Sequence, residues 1–159
     1  MPQQDNNIYR NYNFVLVIKG KITAYFTEVS GLSVDVETIE YREGGAGPAV
    51  RKLPGRVKYG DVTLKWGLTN NRELTDWLHQ VAQGNVEPQD IHIVLRKPNG
   101  VDEATRWILQ GAWPCSWRGA NLSANDNDVA IETIVLTHEG LERVAASNPA
   151  PPPATPGAA

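Results

Sequence analysis

Three histidines and one cysteine are the side chains in this 159-residue sequence best suited to acid–base, nucleophilic or metal chemistry. His79 falls in a helical pattern, on the flank opposite the apolar stripe, and reads as a solvated histidine. His92 and His138 fall in strand patterns with no carboxylate or cysteine at metal-ligand spacing. Cys115 has no base beside it and reads as a small core or interface residue. Because it is the single cysteine, an internal disulfide and a thiolate cluster are both excluded. Asp35 and Glu37 share a strand face, which reads as an exposed acidic face unless that face lines a cavity. Asn125-Asp126-Asn127-Asp128 has the composition of a calcium loop without the glycine and distal glutamate of an EF-hand. Gly44, Gly45 and Gly47 precede no helix start, so they form no phosphate cradle. No enzyme signature results, and neither a cofactor nor a metal is expected.

The totals agree with a structural or binding role. Net charge is -3, with 41% hydrophobic and 21% charged residues, which gives one ordinary globular domain and no basic footprint for nucleic acid. The N-terminal MPQQDNNIYRNYN is polar and unlike a secretory signal. No apolar run approaches the roughly 18 residues of a membrane span, so stable membrane insertion is not expected. Assembly in the cytoplasm without a signal peptide is the resulting expectation.

The elements that position these residues are mostly strands. Phe14–Ile18 and Ile22–Val29 read as a hairpin turning at Lys19-Gly20-Lys21. Val34, Val36 and Thr38 alternate with Asp35, Glu37 and Ile39, and Val62, Leu64 and Trp66 alternate with Asp61, Thr63 and Lys65. Period two with β-branched enrichment predicts half-buried strands at 33–41 and 57–66. Between them, residues 42–56 form a connection far longer than the two to five residues of a hairpin loop, a length that marks it as either disordered or committed to a partner. Within it, Lys52-Leu53-Pro54-Gly55 reads as a turn. Residues 70–83 predict the one helix: Asn70 caps it, Glu73 completes a capping box, and Leu74, Trp77, Leu78 and Val81 form its apolar stripe. Gly84 suits a left-handed C-terminal cap. Strands resume over 91–96, 107–111 (before Trp113-Pro114-Cys115-Ser116-Trp117) and 129–138, with turns at Lys97-Pro98-Asn99-Gly100 and 125–128, and 140–144 trails off the last. The expected organisation is a flexible arm at 1–11, a β domain at 12–146, and a proline-rich tail at 147–159 whose composition packs no core.

Several motifs then resemble a known family in order. Val29-Ser30-Gly31-Leu32, Glu40-Tyr41-Arg42-Glu43-Gly44-Gly45, Lys52-Leu53-Pro54-Gly55 and Leu64-Lys65-Trp66-Gly67 are similar to tail tube proteins of contractile phages. Trp113-Pro114, Glu132 and Thr137-His138-Glu139-Gly140-Leu141 extend the likeness over about 12–144. It is nearer to inner-tube proteins of phage-tail-like contractile injection systems, with type VI secretion tube proteins as more distant relatives. The resemblance implies an antiparallel β-barrel or sandwich flanked by one helix. It also implies a homo-hexameric ring that stacks into a hollow tube, with sheath around it and baseplate, spike and cap proteins at its ends. It further implies a cargo in the lumen, either a toxin protein or DNA. On this reading Arg42, Glu43, Gly44, Gly45, Lys52, Leu53, Pro54 and Gly55 belong to an inter-subunit arm, and an open strand edge pairs with the next subunit.

The faces of the two strands carry a further expectation. Val34, Val36, Val62, Leu64 and Trp66 point to the core, while Asp35, Glu37, Asp61, Thr63 and Lys65 line the lumen as a net acidic wall that does not hold cargo. Two alternatives stand beside the main tube subunit. One is a tube-initiator ring at the baseplate. The other, from a different class, is a carbohydrate-binding β-sandwich that stacks sugars on Trp113 and Trp117, with Trp66, Trp77 and Trp107 left to the core.

Overall fold

A computed structural model describes residues 14–42, 44–45, 47–68, 71–99, 102–125 and 130–145. The expected N-terminal arm, the Asn70 cap, Glu43 of the arm, Gly100, residues 126–128 of the acidic turn and the proline-rich tail lie outside the described residues.

Among the described residues there are ten strands and one helix. In chain order these are β1 (Phe14–Ile18), β2 (Lys21–Phe26), β3 (Glu28–Ser30), β4 (Val34–Tyr41), β5 (Arg51–Tyr59), β6 (Val62–Gly67), α1 (Glu73–Ala82), β7 (Gln89–Arg96), β8 (Glu103–Arg118), β9 (Ile131–Thr137) and β10 (Gly140–Ala145). Their pairings are all antiparallel. The body follows the order β2-β1-β7-β8-β9-β6-β3, with β10 also on β8. Because β2 and β3 are one run bent at Thr27, this path returns to its start and closes a barrel. The Thr27 amide donates to the Lys65 carbonyl at 2.9 Å across that seam. Behind it Phe26 meets Trp66 edge-on, with centroids 5.7 Å apart.

The 16-residue β8 serves both halves of the barrel: its first half pairs with β7 and β10, its second with β9. At the changeover Gly111 takes φ +58°, the left-handed backbone that an ordinary side chain resists. Inward positions of successive strands form the core: Leu16, Val62, Leu64, Trp66, Ile91, Ile93, Leu109, Ile134 and Leu136. Val62, Leu64 and Trp66 therefore point inward as their alternation predicts.

Helix α1 is shorter than the expected 70–83. Its N-cap is Arg72, without a side-chain cap bond, while the Asn71 Oδ1 accepts the Glu73 amide at 3.0 Å. Asn71 also ties the helix start to the barrel, donating from Nδ2 to the Thr23 carbonyl at 2.6 Å. Leu74 and Trp77 are buried, and Leu78 and Val81 are half-buried on the same stripe. Gly84 ends the helix at φ +91°, and the Asn85 amide reaches back to Gln80 at 3.0 Å.

The largest departure from expectation lies between residues 33 and 61. The expected long connection is mostly a β-hairpin. Strand β5 begins at Arg51, so the loop spans only 42–50, and β4 and β5 form a separate two-stranded sheet. The expected single strand over 57–66 breaks at Gly60-Asp61, where the hairpin joins the barrel.

Candidate functional site: the projecting hairpin and its root

The hairpin's register decides which side chains share a face. Val34 stands opposite Tyr59 and Val36 opposite Val57, so one face is apolar near the root. Farther out that face carries Thr38 opposite Pro54 and Glu40 opposite Lys52. The other face inverts the order, with Asp35 opposite Lys58 near the root and Ile39 opposite Leu53, then Tyr41 opposite Arg51, toward the tip. The apolar surface thus passes from one face to the other along the arm.

A bulge between these halves keeps the faces in step. Gly55 and Arg56 together oppose Glu37, so Pro54 and Gly55 lie within β5 and do not form a turn, correcting the reading of Lys52-Leu53-Pro54-Gly55. Proline is tolerated there because a two-stranded sheet leaves one side of each strand unbonded. Around the bulge, a hollow of about 460 Å3 is lined by Asp35, Val36, Glu37, Arg56, Val57 and Lys58.

Nothing in the described chain covers either face. Val34, Val36, Ile39, Tyr41, Leu53 and Val57 are each 46–53% exposed. Val34 and Val36 are accordingly not core residues, contrary to expectation. Their alternation is real, but the body supplies no layer for them to pack against. A lone two-stranded hairpin is marginal in water, so six half-exposed apolar side chains signal a partner.

The root is built for a fixed stance. Gly31 adopts φ +86°, and a Cβ there would lie 2.1 Å from the Asp61 carbonyl oxygen. Across from it the Gly60 amide donates to the Ser33 carbonyl at 3.1 Å. His138, at the β9–β10 turn, has Nε2 2.9 Å from the Gly60 carbonyl oxygen and Nδ1 3.0 Å from that of Gly140. Its ring lies 5.6 Å from that of Tyr59. In the sequence His138 is a strand residue without chemistry; its place at the joint is hidden there because Gly60 is distant along the chain.

The five expected lumen residues do not share one face. Thr63 and Lys65 lie on the outward side of β6, with Asp61 exposed just before it, while Asp35 and Glu37 lie on the hairpin. Asp35 is balanced by Lys58 across the ladder, and the Lys65 Nζ pairs with the Glu28 Oε2 at 3.2 Å. The outward side of β3, β6 and β9 adds the polar Glu28, Ser30, Thr133 and Thr137, but on β9 it also carries the apolar Val135 and the exposed Ile131. Of the arm residues, Arg42, Gly44, Gly45 and Lys52 are exposed along with Leu53 and Pro54, and Gly55 is half-buried in the bulge.

The remaining reactive groups are accounted for locally. His79 is exposed on α1 beside Gln83, and the Nδ1 of His92 lies 2.9 Å from Arg106 Nη1, itself paired with Glu103. Cys115 is exposed and so not a core residue; partial desolvation, reinforced by the charge of Asp61, still raises its thiol above the ordinary pKa. Among the described residues no group of three or more His, Cys, Asp or Glu side chains could hold a metal. Trp113 packs against the core, which removes one of the two stacking platforms a sugar site needs, and Trp117 is 41% exposed.

Set beside this geometry, the likeness to known families is decisive. The family model for the T4-like virus tail tube protein gp19 matches residues 10–142. The chain is a member of the tail tube protein family. Solved structures of tail tube relatives agree. The chain is similar to one from the sheath–tube complex of an extracellular contractile injection system, PVC, in its extended state. Identity there is 29%, the TM-score 0.75, and coverage 91% of this chain and 94% of that one. A chain from the tube-terminating cap of the anti-feeding prophage matches at 26% identity and TM-score 0.75, over 92% of this chain and all of the other. One from the PVC sheath/tube terminator matches at 31% identity and TM-score 0.73, over 87% and 95%. Hcp1 from Flavobacterium johnsoniae, at 16% identity and TM-score 0.51, shares the fold. No curated protein matches the sequence. The chain is therefore a tube subunit of a contractile injection system or contractile tail, with the barrel and flanking helix expected of one.

Proposed function

We propose that this tail tube protein forms six-membered rings that stack into a hollow conduit, which a contracting sheath drives through a target envelope. The observation that carries the reading is the β4–β5 hairpin: an arm with apolar surface on both faces and no cover from its own body. Neighbouring subunits supply that cover, making 42–55 and the strands around it the inter-subunit arm. The outer edge of β10, which pairs with β8 alone among described strands, suits pairing with a neighbour. The outward side of β3, β6 and β9, including Asp61, Thr63 and Lys65, is the proposed bore wall. Asp35 and Glu37 belong to the arm. With Lys65 paired to Glu28, this wall is more charge-balanced than a purely acidic one, and Val135 and Ile131 of β9 interrupt its polar surface.

Sheath surrounds the tube in this proposal, baseplate, spike and cap proteins end it, and a toxin protein or DNA is the cargo. The role is structural and not enzymatic. The subunit assembles in the cytoplasm and ends in a phage-tail-like particle; among the described residues no helix is long and apolar enough to cross a membrane. Likeness to cap and terminator structures supports a second reading, a ring at one end of the tube. Negative-stain microscopy of purified protein tests both. Long tubes are expected of a main tube subunit, single rings of an end ring, and uniform monomers at high concentration would refute the proposal.

A further inference from the structure

A hollow of about 290 Å3 opens between the β1–β2 turn, α1 and the start of β7. Ile18, Thr23, Trp77 and Gln89 wall it, and the exposed Lys21 and Glu73 line it too. Two buried polar atoms of these walls have no hydrogen-bond partner: the indole Nε1 of Trp77, a residue only 8% exposed, and the Oε1 of Gln89. Buried groups left in this state cost stability until something meets them. One donor and one acceptor on the walls of one hollow are the complement of a peptide backbone, which brings a carbonyl and an amide. The strand ladder shows how the chain leaves this region. β10 starts with Gly140 opposite Gln110 and ends with Ala145 opposite Thr105, which stands opposite Leu95. The hollow lies at the other end of β7, at Gln89. The chain therefore leaves β10 about 20 Å from its own hollow, counting six residues of β7 at roughly 3.3 Å each, and heading away from it.

We infer that this hollow receives the proline-rich segment of a second copy of the chain, residues 149–156, with a carbonyl of that segment accepting from Trp77 Nε1 and an amide donating to Gln89 Oε1. The inference rests on the tube reading and adds a contact to it that the family match does not reach, because that match ends at residue 142. The chemistry of the segment fits the walls. Pro149, Pro151, Pro152, Pro153 and Pro156 favour polyproline II, in which carbonyls have no partner within the segment and point outward. Aromatic-lined grooves recognise such segments because the backbone is already extended and little entropy is lost on seating. Ala154 and Thr155 keep the amides that proline lacks, and residues 146–159 carry no charge to desolvate. Length suffices as well: residues 146–159 reach up to about 43 Å in this conformation, at roughly 3.1 Å per residue. Direction selects the second copy, since the segment sets out away from its own hollow. Exit and hollow occupy opposite ends of one chain, so each docked pair leaves one of each free and the contact propagates along an assembly. The segment then belongs to the assembly and not to the fold of the single chain.

Cysteine pairing in the full chain tests the contact. In a Cys115→Ser background, Ala154→Cys marks the segment and Lys21→Cys, an exposed position, marks the hollow. Tubes of this variant, oxidised with copper phenanthroline, are expected to give a ladder of disulfide-linked dimers and longer chains on a non-reducing gel. Should Lys21→Cys impair assembly, Glu73→Cys replaces it on the helix side of the hollow. An internally bridged monomer would overturn the inference by placing the segment in its own hollow, and a dimer from Ala154→Cys alone would do so by pairing segment with segment. Tubes that form no disulfide would overturn it as well. The hydrogen bonds have their own readout. Trp77→Phe keeps a ring in the core but removes the N–H, and Gln89→Leu removes the acceptor. Each is expected to lower the ladder yield about 10-fold while tubes still form, the loss that one missing hydrogen bond produces. Undiminished yield from both would refute the recognition. Wild-type protein that forms neither rings nor tubes refutes the tube reading itself, whereas tubes without a ladder refute this contact alone.

Discussion

Replacing Gly31 with alanine probes the joint that sets the hairpin's stance. At φ +86° the new residue pays about 1–2 kcal/mol for the left-handed backbone, as any alanine does there. Its Cβ would also sit 2.1 Å from the Asp61 carbonyl oxygen and 3.2 Å from the carbonyl carbon, and that neighbour is backbone, which cannot rotate away. Overpacking of this kind costs about 1–3 kcal/mol more. Stiffening of the unfolded chain returns roughly 0.4–1 kcal/mol, so the net loss is about 2–4 kcal/mol. Gly20→Ala is the internal control: φ is +75°, but nothing lies within 4 Å of its Cβ, so it bears the backbone term without the clash. Urea unfolding of unassembled protein reads the difference. With a slope of about 2 kcal/mol/M, Gly31→Ala lowers the midpoint by about 1–2 M and Gly20→Ala by about 0.5 M or less. Because the clash is relieved by moving Asp61, Gly31→Ala also tilts the arm, and its tubes are fewer in micrographs even where the chain is folded. Equal midpoints for the two variants would refute the argument that the root is closed by backbone contact.

Trp77→Ala removes an aromatic that is only 8% exposed from the helix stripe and is expected to cost about 3–5 kcal/mol, seen as a fall in Tm of about 10 °C or more by calorimetry; a loss under about 1 kcal/mol would mean the stripe faces no core. Deleting residues 44–50 and closing β4 to β5 with a two-residue turn is expected to leave a folded chain that forms no tubes, and normal assembly on gel filtration would contradict the arm assignment. Since burial raises the Cys115 pKa, the reactive thiolate is scarcer at a given pH than in a free cysteine. Alkylation by iodoacetamide should therefore rise at higher pH than in an unstructured peptide, and an equal or earlier rise would show that the thiol is not desolvated. Removing residues 148–159 is expected to leave Tm unchanged, because their composition packs no core; an unfolded product would contradict the linker reading.

Periodicity alone located most of the elements. The apolar run at 14–18 and the alternations at 34–41 and 62–66 each mark a strand, and the spacing of Leu74, Trp77, Leu78 and Val81 marks the helix, because these patterns follow from local backbone geometry. Boundaries were less legible. Lys52-Leu53-Pro54-Gly55 has turn composition, yet it became a bulged strand once β4 offered a partner. The break at Gly60-Asp61 leaves a trace in the sequence: apolar residues fall on odd positions at Val57 and Tyr59 and on even ones at Val62, Leu64 and Trp66, so the alternation read across Val57 to Trp66 changes parity where the two strands meet.

What the sequence determined by itself was the class of object: a β-rich chain with tail-tube motifs in order and an unusually long connection between two of its strands. What it left open was which faces are covered. Val36 and Leu64 carry the same signal, an apolar residue in an alternating strand, yet Val36 is 50% exposed and Leu64 is fully buried. Alternation records that a strand has two unlike faces; only the arrangement of distant strands decides whether a second layer lies over the apolar one. For β6 the closed barrel provides that layer, in a core shared with residues of β1, β7 and β8. For the hairpin the chain provides none, because Gly31, Gly60 and His138 hold it away from the body that would otherwise have buried it.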